Sequence, residues 1–99
     1  MEKALGAVQA LNKGVHMILK LFTKPNCPRC PAAKQVVKEI ENKVKVEQYD
    51  IETEDGLAEA LQYDVMATPA IIIVDKNQEV LGEWRGEAPT IDALNKVLK

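Results

Sequence analysis

The sequence lacks the features that would tie it to a membrane, a nucleic acid or a disulfide scaffold. No apolar run approaches the roughly 20 residues that cross a bilayer, and the chain opens on Glu2 and Lys3 instead of a basic stretch before an apolar block. A cytoplasmic location without membrane contact is therefore expected. There is no basic excess either: 13 Lys and Arg stand against 15 Asp and Glu, a net charge of −2. The positive residues are scattered among acids, so no nucleic-acid partner is expected. Two cysteines are too few for a disulfide-scaffolded fold. A single histidine, His16, cannot complete the usual set of about four zinc ligands with one Cys-x-x-Cys unit, so no metal site is expected. His16 reads as a strand-edge residue. No repeat, low-complexity segment or linker divides the 99 residues, which suffice for one core. Residues 1–99 are read as one domain, expected to be a monomer.

What is there centres on Phe22-Thr23-Lys24-Pro25-Asn26-Cys27-Pro28-Arg29-Cys30-Pro31, which holds both cysteines. Upstream, the apolar, β-branched run from Val15 to Phe22 predicts a buried strand. Downstream, Ala33, Val36, Val37, Ile40 and Val44 recur at three- and four-residue steps, the stripe of an amphipathic helix. The cysteines thus fall at a strand-to-helix turn, with Pro28 suited to the first helical position. A helix N-terminus carries unpaired N–H groups and partial positive charge, and both favour a thiolate. Cys27, placed at the cap, is expected to be the exposed nucleophile. Cys30, three residues on, lies within bridging reach and deeper. Lys24 and Arg29 add positive charge beside the pair, and Pro28 sits between the cysteines, so these three residues are expected to tune it.

The rest of the chain reads as scaffold. Lys3 to Asn12 predicts a short amphipathic helix stopped by Gly14. Asn42-Lys43 turns into a strand from Val44 to Ile51, where Val44, Val46 and then Tyr49 or Ile51 alternate. Two strands joined by one helix form a βαβ unit with parallel strands. Thr53 can cap a helix bearing Glu54 and Asp55 at its positive end, with Leu57, Ala60 and Leu61 facing inward, ending near Tyr63-Asp64. After the loop Val65 to Pro69, Ala70 to Val74 is the most apolar strand and is expected to be central. Asp75 to Gln78 predicts a turn, Glu79 to Arg85 an antiparallel partner strand, and Pro89 to Lys99 a closing helix that starts near Ala88 or Thr90. Trp84, Tyr49 and Tyr63 read as packing residues. The predicted class is α/β, a central four-stranded mixed sheet with flanking helices in the order α-βαβ-α-ββ-α.

Two motifs in this order resemble the thioredoxin and glutaredoxin superfamily. Phe22-Thr23-Lys24-Pro25-Asn26-Cys27-Pro28-Arg29-Cys30 is similar to the glutaredoxin form of the active site, and Ala60 to Pro69, ending in Thr68-Pro69, is similar to the thioredoxin segment before its cis-proline. The resemblance implies the thioredoxin fold, a cis bond between Thr68 and Pro69 beside the cysteines, and substrate binding at Thr68 and Pro69 by strand addition. Three departures stand out. Asn26 replaces the aromatic residue that usually precedes the first cysteine, Leu21 stands where thioredoxins carry a buried Asp, and Gly86-Glu87-Ala88 offers one glycine where glutaredoxins show a pair.

The expected function is dithiol–disulfide exchange on protein substrates. Cys27 attacks and Cys30 resolves, no cofactor is needed within the chain, and a separate reductase or glutathione recycles the pair. The alternatives are a glutathione-dependent glutaredoxin, a metal or iron–sulfur binding module, and a redox sensor without turnover.

Overall fold

In the computed structural model, which describes residues 17–98, β1 (Ile18–Thr23), β2 (Lys45–Asp50), β3 (Ala70–Val74) and β4 (Val80–Arg85) form one sheet in the order β2-β1-β3-β4. β1 and β2 run parallel, while β1 with β3 and β3 with β4 run antiparallel. The mixed sheet and the interior position of β3 follow the sequence-based expectation. Three helices accompany it: α1 (Cys30–Ile40), α2 (Glu54–Gln62) and α3 (Ile91–Leu98). The helix expected over Lys3 to Asn12, its stop at Gly14, and His16 lie outside the described residues.

Alternation along β1 and β3 divides the core in two. Leu19, Leu21, Ile71 and Ile73 face one side, where they pack with Ala33, Val37 and Ile40 of α1 and Leu94 and Leu98 of α3. Phe22, Ala70, Ile72 and Val74 face the other, against Ala60 of α2 and Val65. Burying each of the large side chains contributes about 1.5–3 kcal/mol before entropy is counted. Val44 belongs to the first cluster from beyond the end of α1, and Trp84 packs against that cluster as expected. Val46 lies on the first side and Tyr49 with Ile51 on the second, so the alternation of β2 serves both faces.

α2 is rotated from its expected orientation. Gly56 and Ala60 are its buried residues, whereas Leu57 and Leu61 are 49% and 66% exposed. The cause is a close approach. A Cβ on Gly56 would stand 1.8 Å from the carbonyl oxygen of Asp50, so only glycine lets the first turn of α2 press against the end of β2. The Thr53 cap holds as predicted: its Oγ1 accepts from the Gly56 amide at 3.0 Å and donates to Asp50 O at 2.7 Å. Thr90 caps α3 in the same way, accepting from the Ala93 amide at 3.1 Å. In the turn after β3, the left-handed residue is Gln78 (φ 66°), stabilised by Asp75 Oδ1, which accepts from the amides of Asn77 and Glu79.

One buried charge was not legible as such. Lys20 sits in mid-β1 at 7% exposure, on the same face as Phe22. Its ammonium donates to Glu47 at 3.1 Å and to Glu59, and lies over the rings of Tyr49 and Tyr63. Tyr49 stacks on Phe22 and donates to Glu47 at 2.7 Å, whereas the buried Tyr63 hydroxyl finds no partner in the described residues. Burial opposes the charge of Lys20, but hydrogen bonds and attraction from Glu59 and Glu47 outweigh it and raise its pKa. The Tyr49 hydrogen bond, followed by Lys20, holds the Glu47 carboxyl below its usual range. A depressed carboxylate contributes stability that is present above its unfolded value near 4.5 and is lost as pH falls. Lys20→Met leaves two carboxylates facing without a cation, at an expected cost of about 1–3 kcal/mol near pH 7. The deficit should shrink toward pH 3.5, as proton uptake by Glu47 removes negative charge that Lys20 compensates. Denaturant unfolding at the two pH values checks this, and an equal deficit at both would refute it.

Candidate active site

The turn that carries the cysteines is built by local chain chemistry. Asn26 takes a left-handed backbone (φ 62°), which asparagine tolerates and a bulky aromatic residue does not. That accounts for the asparagine before Cys27. α1 starts later than expected: Arg29 occupies the N-cap, Cys30 is the first helical residue, and the proline of the first turn is Pro31 rather than Pro28. Pro28 and Arg29 instead form a turn closed by the Cys30 amide, which donates to Cys27 O at 3.3 Å. The Cys30 amide is therefore spent on the turn.

Cys27 and Cys30 are joined as a disulfide. Cys30 is 3% exposed and Cys27 is half-buried, the order of depth expected from their spacing. Thr68 Oγ1 lies 3.6 Å from Cys27 Sγ, within hydrogen-bond reach of a sulfur, and the Thr68–Pro69 bond is cis. The segment after α2, whose near end is Thr68, is anchored from β4. Arg85 donates to the carbonyls of Tyr63 and Asp64 at 2.9 and 2.7 Å and pairs with Glu83, while the Gly86 amide donates to Pro69 O at 2.8 Å. Gly86 has φ 87°, a conformation that suits glycine. Arg29 reaches across from the other wall, its guanidinium donating to Gly86 O at 3.3 Å.

These residues border an open groove of about 410 Å³, lined by Lys24, Cys27, Pro28, Arg29, Ala67, Thr68 and Gly86. All the sequence-predicted site residues meet here except Cys30 and Pro69, which lie buried directly behind it. Lys24 also borders a second cleft of about 440 Å³, with Thr23, Lys34, Gln48 and Asp50. Leu21 is buried in the apolar core beside α1, so the position where a buried Asp was sought carries no ionisable group. Sequence reasoning missed the anchoring by Arg85 and the contact of Arg29 with Gly86, because each links residues 21 or more apart that no spacing rule connects.

A chain with this sheet order, a cysteine pair at the start of a helix and a nearby cis-proline is similar to known proteins over most of its length. The thioredoxin domain family model matches residues 17–99. The chain belongs to the thioredoxin family. A thioredoxin of Methanocaldococcus jannaschii is 40% identical over 83 residues, covering 82% of this chain and 91% of that relative. A probable thioredoxin of Archaeoglobus fulgidus is 40% identical over 62 residues, covering 61% and 68%. Among solved structures, a mutant thioredoxin from Halobacterium salinarum superposes with a TM-score of 0.72 at 20% identity, over 92% of this chain and 79% of its own, and shares the fold. With its Cys27–Cys30 pair, this thioredoxin domain is a dithiol–disulfide oxidoreductase. The matches fall on the thioredoxin side of the two-family resemblance, and none of them supports the glutaredoxin alternative. Thioredoxins act on disulfide substrates and are recycled by a reductase. No helix among the described residues is long and apolar enough to cross a membrane.

Proposed function

We propose that this single domain works in the cytoplasm as a monomeric reductant of protein disulfides, with Cys27 as nucleophile and Cys30 as resolving thiol. The observation that carries the reading is the pairing of a half-exposed Cys27, in a groove against Thr68, with a buried Cys30 behind it. In the reduced protein, the Cys27 thiolate attacks one sulfur of a substrate disulfide, forming a mixed disulfide and expelling a substrate thiolate that takes up a proton. Cys30 then loses its proton and attacks Cys27 Sγ. The second substrate thiolate leaves and takes up a proton, so the substrate has gained two electrons and the protein remains oxidised as the Cys27–Cys30 disulfide. Proton uptake from Cys30 falls to solvent at the groove, since Leu21 offers no base.

Thr68 and Pro69 supply a rigid rim along which an extended substrate segment can add as a strand. Lys24, Pro28 and Arg29 tune the pair, the two cations by favouring the thiolate. A separate reductase, rather than glutathione, restores the dithiol. Equilibration in glutathione redox buffers, with alkylation and mass analysis, tests this: a potential near about −270 mV with no stable glutathione adduct is expected. A potential of roughly −200 to −230 mV with an adduct on Cys27 would instead place the protein with the glutaredoxins.

A further inference from the structure

The groove beside Cys27 is electrically one-sided. Lys24 and Arg29 both line it, and among the described residues no acid does. This is unexpected on a chain of net charge −2, whose average field repels acidic partners. Neither cation has a carboxylate partner among the described residues, in contrast to Lys20 and Arg85, which are both paired. Arg29 is also held in place. One of its N–H groups donates to Gly86 O, and Gly86 is itself fixed by the hydrogen bond that its amide donates to Pro69 O. A guanidinium has five donors in a planar fork, so this anchor leaves others available to an occupant of the groove that Arg29 lines. Pre-ordering removes part of the side-chain entropy that a free arginine would lose on binding.

We propose that the groove selects disulfides whose target cysteine has an acidic residue within two positions, the carboxylate pairing with Arg29 and, more weakly, with Lys24. This rests on the oxidoreductase reading above and names the substrate class of the same site. The occupant is an extended acidic peptide segment: charge complementarity points to it, and Thr68, which lines the same groove, is the residue along which such a segment would add as a strand. Among the described residues Lys24 has no anchor comparable to the Arg29 bond, and it contributes less.

The test uses the full chain, reduced beforehand and freed of reductant, against three disulfide peptides that differ only in flanking Glu, Gln or Lys. Single-turnover reduction is quenched, alkylated and quantified by mass. The Glu peptide should react about 10-fold or more faster than the Lys peptide at low salt, and the ratio should shrink at 0.5 M salt. Arg29→Gln should lower the ratio about 3- to 10-fold and Lys24→Gln by less. Each ratio is taken within one variant, so any change in Cys27 reactivity cancels. Lys76→Gln makes the same charge change in the turn at the opposite end of β3 and should leave the ratio unaltered. A wild-type ratio within twofold of one, a ratio insensitive to both groove substitutions, or an equal loss in Lys76→Gln would overturn the proposal while leaving the oxidoreductase reading intact. Failure to reduce any of the peptides would overturn both.

Discussion

Cys27→Ser reduces catalysed disulfide reduction to the background of the chemical reductant, a loss on the order of a thousandfold or more, while Cys30→Ser retains the first step and stalls at the second. The contrast follows from depth. Cys27 faces the groove and Cys30 is 3% exposed behind it, so an incoming disulfide reaches only the former. The chain has two cysteines, and a Cys30→Ser protein therefore has no internal thiol to release bound substrate. It should accumulate as a one-to-one mixed disulfide through Cys27, visible as a mass increase removed by dithiothreitol. Both variants should remain folded under reducing conditions, because the two-residue spacer closes too small a loop for the bridge to constrain much of the unfolded chain. Turnover by Cys30→Ser at near the wild-type rate would mean that an external thiol resolves the intermediate, and would refute the dithiol cycle. Turnover by Cys27→Ser would remove the assignment of the nucleophile altogether.

The parts of this site and fold that sequence revealed are those set by near neighbours. The helical stripe of α1, the uninterrupted apolar run of β3, the Thr53 cap and the cysteine spacing all depend on residues within a turn or two of each other. The parts that stayed hidden depend on distant partners. Lys20 stands as a cation within the apolar run of β1, and its burial is made tolerable by Glu47 and Glu59, 27 and 39 residues away. Arg29 read only as a charge near a thiol until its contact with Gly86, 57 residues on, fixed it across the groove. The Thr68–Pro69 segment was legible through family resemblance, but its anchoring by Arg85 and Gly86 was not. The start of α1 moved by two residues because Pro28 and Arg29 were used for a tight turn, a choice that propensity at the first helical position does not distinguish.

The orientation of α2 shows most sharply how one small residue can override a hydrophobic pattern, and it carries the second large expected effect. Leucines at 57 and 61 would place the buried stripe along Leu57, Ala60 and Leu61, but the helix turns Gly56 and Ala60 inward. The chain accepts two exposed leucines because Gly56 allows α2 to seat its first turn against Asp50 O, the same carbonyl that accepts from the Thr53 amide and hydroxyl. Gly56→Ala therefore tests two opposed effects. Intrinsic propensity favours alanine in a helix by about 0.8–1 kcal/mol. The added Cβ, however, would meet backbone that cannot rotate aside, so α2 must lift, straining or breaking the Thr53 cap and loosening Ala60 from Phe22 and Ile72. Overpacking of about 1–3 kcal/mol and loss of the cap near 1 kcal/mol outweigh the propensity gain, for a net destabilisation of about 1–3 kcal/mol. For a domain of this size that corresponds to roughly 5–25 °C in Tm. Gly86→Ala provides the comparison, since its Cβ would enter open space and its cost is confined to the backbone angle. Thermal unfolding of both variants decides the matter. A Gly56→Ala protein as stable as wild type, or more so, would show that propensity governs this turn and that the close approach to Asp50 is not what orients α2.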